Sequence, residues 1–157
     1  MNQEMVLYVE DDEGVAKLVQ LNLERAGYFV EIADTAEKGL EVYNPKIHKV
    51  IVLDHVLPGI SGIDALKKFA PNKYDPAIIM LTAAGSEKVA VEAINSGAAE
   101  YLVKDDIKGF QQLLPIAIES ALAKQRLYKD NDTLQKENAN FMEELKRVRA
   151  ELDKANK

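Results

Sequence analysis

The chain has 157 residues, 47% of them hydrophobic, and carries 20 Lys/Arg against 26 Asp/Glu for a net charge of −6. That suffices for one packed domain and a little more, and the lack of Cys excludes disulfides, thiolate metal sites and cysteine nucleophiles. No apolar run approaches the ~20 residues of a membrane span, and the opening "MNQEMVLYVEDD" has no basic leader region, so a cytoplasmic protein without membrane contact is expected.

In chain order, apolar runs at 5–9 ("MVLYV"), 28–33 ("YFVEIA"), 50–53 ("VIVL"), 77–81 ("AIIML") and 100–103 ("EYLV") predict five strands. The first, third and fourth are continuously apolar, as in a parallel sheet covered on both faces, while Glu31 places the second nearer an edge. Helical spacing fills the gaps. The segment 14–26 stops at Gly27, and 34–44 opens on Asp34 and Glu37, which resemble a capping box, with Ala36, Leu40 and Tyr43 as a buried stripe. Shorter helices fit 62–69 and 86–96. Such alternation predicts a doubly wound α/β domain over 1–123 with a five-stranded parallel sheet, flavodoxin-like, in the order 2-1-3-4-5. His48 is expected at the surface. From Phe110 a last helix follows, in which Pro115 predicts a late start or a kink.

Charge separates this body from its tail. Residues 1–123 hold 11 Lys/Arg and 19 Asp/Glu, net −8, which argues against direct nucleic-acid binding; residues 124–157 hold 9 and 7, net +2, with the signs mixed. In the tail Leu127, Leu134, Phe141, Val148 and Ala155 recur every seven residues, with Asn131, Asn138, Leu145 and Leu152 between them. Taken as d and a positions, they predict a parallel homodimeric coiled coil through 124–157, with Asn at a fixing the register and Glu144 and Arg149 spaced for an interchain pair.

Polar residues then follow the strands: Glu10 and Asp11 after the first, Asp54 after the third, Thr82 after the fourth and Lys104 after the fifth. In an open parallel sheet these ends share one edge, where such folds bind ligands. Crowded carboxylates need a cation, and hard oxygen donors suit Mg²⁺ or Mn²⁺. With a hydroxyl and a lysine beside it, the set is suited to phosphoryl transfer. Asp12 and Glu13, at a helix start, are read as capping acids.

With "LYVEDD", "VLDHVLPGISG", "IIMLTA" and "EYLVK" in this order, residues 4–123 resemble the receiver domain of the two-component response-regulator family. The resemblance implies Asp54 as phosphoacceptor, and Mg²⁺ held by Glu10, Asp11, Asp54 and the backbone carbonyl of Val56. It further implies Thr82 and Lys104 as the groups that receive the phosphoryl oxygens, and Tyr101 as a switching aromatic coupled to Thr82. The donor would be a histidine kinase or a phosphotransfer protein, and the chain would catalyse only its own phosphorylation and dephosphorylation. A receiver-like dimerisation scaffold that signals without phosphate is the alternative. One departure is "KDD": Asp105 stands where the family usually has proline, so an unusual shape is expected for the loop 104–108.

Overall fold

The computed structural model describes residues 4–70, 74–83, 85–104 and 107–156, with the backbone alone at 107; Asp105 and Asp106, and with them the expected shape of the loop 104–108, lie outside the described residues. The apolar runs form strands β1 (Met5–Val9), β2 (Phe29–Ala33), β3 (His48–Asp54), β4 (Ala77–Thr82) and β5 (Glu100–Val103). Between them lie helices α1 (Glu13–Arg25), α2 (Ala36–Val42), α3 (Gly62–Phe69) and α4 (Glu87–Asn95), and α5 runs from Ile107 to Ala155. The strands make one parallel sheet in the order β2-β1-β3-β4-β5, as expected, with β2 at an edge.

Alternate strand residues face two separate cores. Tyr8, Val52 and Ile79 pack with Val19 and Leu23 of α1 and with Phe110, Leu114 and Ile118 of α5. On the other face Leu7, Val9, Leu53 and Met80 meet Leu66 and Phe69 of α3, Ala36 of α2 and Ala93 of α4. Being covered on both faces is why β1, β3 and β4 are almost uninterruptedly apolar.

Three details differ from expectation. The N-cap of α2 is Thr35, whose hydroxyl accepts the Lys38 N–H; Asp34 pairs with Lys38 at 3.0 Å, so the Asp34–Glu37 capping box does not form. His48 is buried, 3% exposed: its Nδ1 accepts the Asn44 N–H at 2.9 Å and the Tyr43 ring stacks on it. Finally, α5 has no late start and continues through Pro115. A proline inside a helix leaves the carbonyl four residues earlier without its donor; here that carbonyl is Gln111's, and Asn22 Nδ2 of α1 donates to it at 2.5 Å.

The chain divides into two compact units at Gln125/Arg126. In the second, which is helical to Ala155, the apolar heptad residues Leu127, Leu134, Phe141, Leu145, Val148 and Leu152 are 44–70% exposed. Glu144 lies 3.7 Å from Arg147 of the same helix.

Candidate functional site

Register fixes what meets at the sheet edge. Val9 is paired with Leu53, so Glu10 and Asp54 lie side by side one step further along neighbouring strands. Asp54 is paired with Leu81 and Thr82 with Val103, which brings Thr82 and Lys104 to the same edge. Backbone bonds hold the strand ends there: Glu10 N–H to Ala33 O, His55 N–H to Leu81 O and Lys104 N–H to Thr82 O, at 2.8–3.0 Å.

Lys104 Nζ donates to Glu10 Oε1 at 2.6 Å and to Asp54 Oδ2 at 3.1 Å. Asp54 Oδ1 accepts the Val56 N–H at 3.3 Å. Glu10 is 1% exposed and Asp54 8%, whereas Asp11 is exposed, and one oxygen from each of the three carboxylates falls within 4.8 Å of the others. Burial, and after it the Asp54 carboxylate, push the pKa of Glu10 up to about 8 against the pull of Lys104. Burial alone would lower the pKa of Lys104, but the hydrogen bond to Glu10 and the charge of Asp54 outweigh it and raise the value.

Among the described residues, Glu10 Oε2 is buried without a hydrogen-bond partner. A buried carboxylate oxygen left in that state is costly, and a hard divalent cation on the three acids would satisfy it. The donor set therefore fits Mg²⁺ or Mn²⁺, both of which favour oxygen ligands.

Of the residues singled out in the sequence, Glu10, Asp11, Asp54 and Lys104 come together directly. Thr82 is buried at the end of β4, and its hydroxyl donates to the Leu102 carbonyl at 3.4 Å. Tyr101 is 45% exposed and lines a cavity of about 480 Å³ with Ala90, Val91 and Ile94 of α4. Val56 is exposed. Asp12 caps α1 by accepting the Val15 N–H at 3.1 Å, in keeping with its reading as a capping acid.

Sequence reasoning passed over Tyr8, fully buried, whose hydroxyl reaches Glu10 Oε1 at 3.5 Å; burial first, then Glu10, raises its pKa. The signal was available, because residues two apart on a strand face the same way.

Comparison with known proteins agrees with this geometry. The response regulator receiver domain family matches residues 6–114. The transcriptional regulatory protein YkoG of Bacillus subtilis, described as uncharacterized, is 32% identical over 126 residues, covering 80% of this chain and 51% of its own length. The alkaline phosphatase synthesis transcriptional regulatory protein PhoP of the same organism is 38% identical over 63% of this chain and 41% of its own. The chain thus spans about half or less of these relatives. A crystal structure of a response regulator receiver domain protein from Clostridium thermocellum superposes with a TM-score of 0.72 at 29% identity, over 80% of this chain and 98% of that one. By its fold, its strand-end residues and these matches, the chain belongs to the response regulator receiver domain family of two-component signalling.

Proposed function

We propose that Asp54 accepts a phosphoryl group from the phosphohistidine of a histidine kinase or phosphotransfer protein, and that the change is passed to a helical dimer formed by 124–157. The observation that carries this reading is Lys104 bridging Glu10 and Asp54 while Glu10 Oε2 stays buried and, among the described residues, unpartnered. An ammonium is already in place for an incoming anion, and an oxygen for a cation.

Glu10, Asp11, Asp54 and the Val56 carbonyl would hold Mg²⁺, with Mn²⁺ as a substitute. When bound, the ion would neutralise part of the charge on the transferred oxygens. An Asp54 carboxylate oxygen forms the new bond to phosphorus as the phosphorus–nitrogen bond of the donor breaks. The imidazole leaves neutral once its other nitrogen carries a proton. Lys104 shifts from its two carboxylates toward the phosphoryl oxygens. Thr82, whose hydroxyl is engaged with Leu102 in the resting arrangement, turns to a phosphoryl oxygen, and the exposed Tyr101 follows it toward the cavity beside α4. Water later hydrolyses the acyl phosphate. The chain acts on no other substrate.

The receiver function is assigned to 1–123. The extension 124–157 pairs in parallel with a second copy: its apolar heptad rows are exposed, and its g positions Asp130, Glu137, Glu144 and Glu151 would repel one another in the antiparallel alternative. Coupling is a population shift, in which phosphate favours one arrangement of Thr82 and Tyr101 and so biases pairing of the tail. No described helix is long and apolar enough to cross a membrane, and the acidic body offers no nucleic-acid footprint, so we assign the chain to the cytoplasm without direct contact to either.

The test is incubation with acetyl phosphate and Mg²⁺, followed by intact-mass and peptide mass spectrometry. One acid-stable, base-labile phosphoryl group on Asp54, absent in Asp54→Ala and in chelator, is the expected result. No incorporation, or incorporation elsewhere, overturns the assignment and favours a scaffold that signals without phosphate.

A further inference from the structure

We propose that Glu37 is a positioning residue, which braces the loop after Asp54 so that the Val56 carbonyl and the Asp54 carboxylate are presented to the cation together. The inference rests on the reading of Asp54 as a receiver site.

Backbone bonds close the loop 55–61 at its base, beside the bond from Val56 N–H to Asp54 Oδ1. His55 N–H donates to Leu81 O at 2.9 Å and Gly62 N–H to His55 O at 3.0 Å, and a Cβ at Gly62 would lie 2.5 Å from the Asp54 carbonyl oxygen. Further out, among the described residues, the side chain of a separate element that bonds to this loop is Glu37 of α2, whose Oε1 accepts the Ile60 N–H at 3.2 Å. The loop is shaped to receive it. Gly59 has φ +84, a conformation that favours glycine, and a Cβ there would come 2.6 Å from the same Oε1, so a side chain at 59 would push the carboxylate aside.

Helix α2 is positioned for this reach. It is seven residues long, and at Gly39 a Cβ would meet Val9 Cγ2 at 3.0 Å and Phe69 Cζ at 3.2 Å. The helix thus lies tight against β1 and α3, with Glu37 in its first turn. An acid in a first turn ordinarily serves the helix dipole and stays solvated; this one spends an oxygen on a backbone 23 residues away. Glu37 itself is exposed, so its bond adds little to global stability, and its loss is felt where the loop must hold a carbonyl in place.

The experiment is calorimetric titration of the full chain with Mg²⁺, and with beryllofluoride in the presence of Mg²⁺, for wild type, Glu37→Ala and Glu37→Gln, alongside thermal melting. Loss of one hydrogen bond that positions a ligand predicts a roughly three- to tenfold weaker Mg²⁺ affinity in Glu37→Ala. The amide oxygen of Glu37→Gln still accepts the Ile60 N–H and should restore affinity to within about twofold, with both midpoints within about 2 °C of wild type. Unchanged affinity in Glu37→Ala overturns the inference and leaves the site intact. A Gln variant as weak as Ala overturns it in favour of simple charge, and an affinity loss that tracks a lowered midpoint assigns Glu37 to the fold instead. A wild type that binds neither probe overturns the receiver-site reading, and the inference with it.

Discussion

In the unit that ends at Gln125, the apolar residues Val6–Val9, Val50–Leu53 and Ala77–Leu81 are wholly buried, whereas in 126–157 the apolar heptad residues are 44–70% exposed. The first unit buries the apolar residues of its central strands, although Leu18, Val91 and Ile116 stay 51–65% exposed, and it holds the buried acids Glu10 and Asp54 together through Lys104. The second leaves its apolar rows open. On the proposed function, the first unit is built to receive a small anion and the second to receive another helix. The comparison also divides the tail. In the proposed coil Phe141, Leu145, Val148 and Leu152 would fill both core rows, while Asn131 and Asn138 interrupt the stretch before them, so cohesion would be weighted toward the C-terminal heptads.

The most complete break between the units is expected from Leu145→Asp with Leu152→Asp. Two charges per chain placed in the proposed seam should abolish pairing, read as mass by sedimentation, while Asp54 is still phosphorylated by acetyl phosphate. Lys104→Met acts on the other side. With the charge-assisted bonds to the phosphoryl mimic gone, beryllofluoride affinity should fall by about ten- to a hundredfold, and pairing of the tail should lose its response to the mimic at a given concentration.

A pH titration sharpens the account of the site. Without metal, Glu10 keeps its proton up to about 8, and Mg²⁺ must displace it. Apparent Mg²⁺ affinity should therefore rise by up to about tenfold per pH unit toward 8 and level off above it, with proton release visible as a buffer-dependent heat of binding. The sign for stability is the reverse of an ordinary carboxylate. Because the folded pKa is raised from 4.5 to about 8, the folded form holds a proton that the unfolded chain has lost, and the contribution of Glu10 to metal-free stability falls across that window. Chemical denaturation in chelator should show this fall, and Glu10→Gln should flatten it. The smallest effect is expected from Asn22→Ala, which strands the Gln111 carbonyl and should cost about 1 kcal/mol in urea denaturation without changing Mg²⁺ affinity.

The strands could be read because a parallel sheet covered on both faces needs runs such as Val50–Leu53, and the meeting of Glu10, Asp54, Thr82 and Lys104 at one edge could be read because each stands at or just past the end of an apolar run. What was not legible depends on contacts between residues distant in the chain, or on competition between neighbours. Glu37 resembles half of a capping box until Ile60, 23 residues on, claims its oxygen. Thr35 and Asp34 both suit an N-cap, and the salt bridge from Lys38 to Asp34 leaves the role to Thr35. His48 is a lone polar residue at a strand start, and only the fold brings Asn44 N–H and the Tyr43 ring onto it. Pro115 argues for a late start or a kink, and the helix instead begins before it, with Asn22 of another helix taking up the freed carbonyl.

The claim that joins the two units is that occupancy of Asp54 governs pairing of the tail, and light-scattering mass in Mg²⁺ with and without beryllofluoride tests it most directly. A shift toward dimer on adding beryllofluoride, absent in Asp54→Ala, is the predicted result. The same mass and the same concentration dependence with and without the mimic, in a chain shown to bind it, would contradict the coupling.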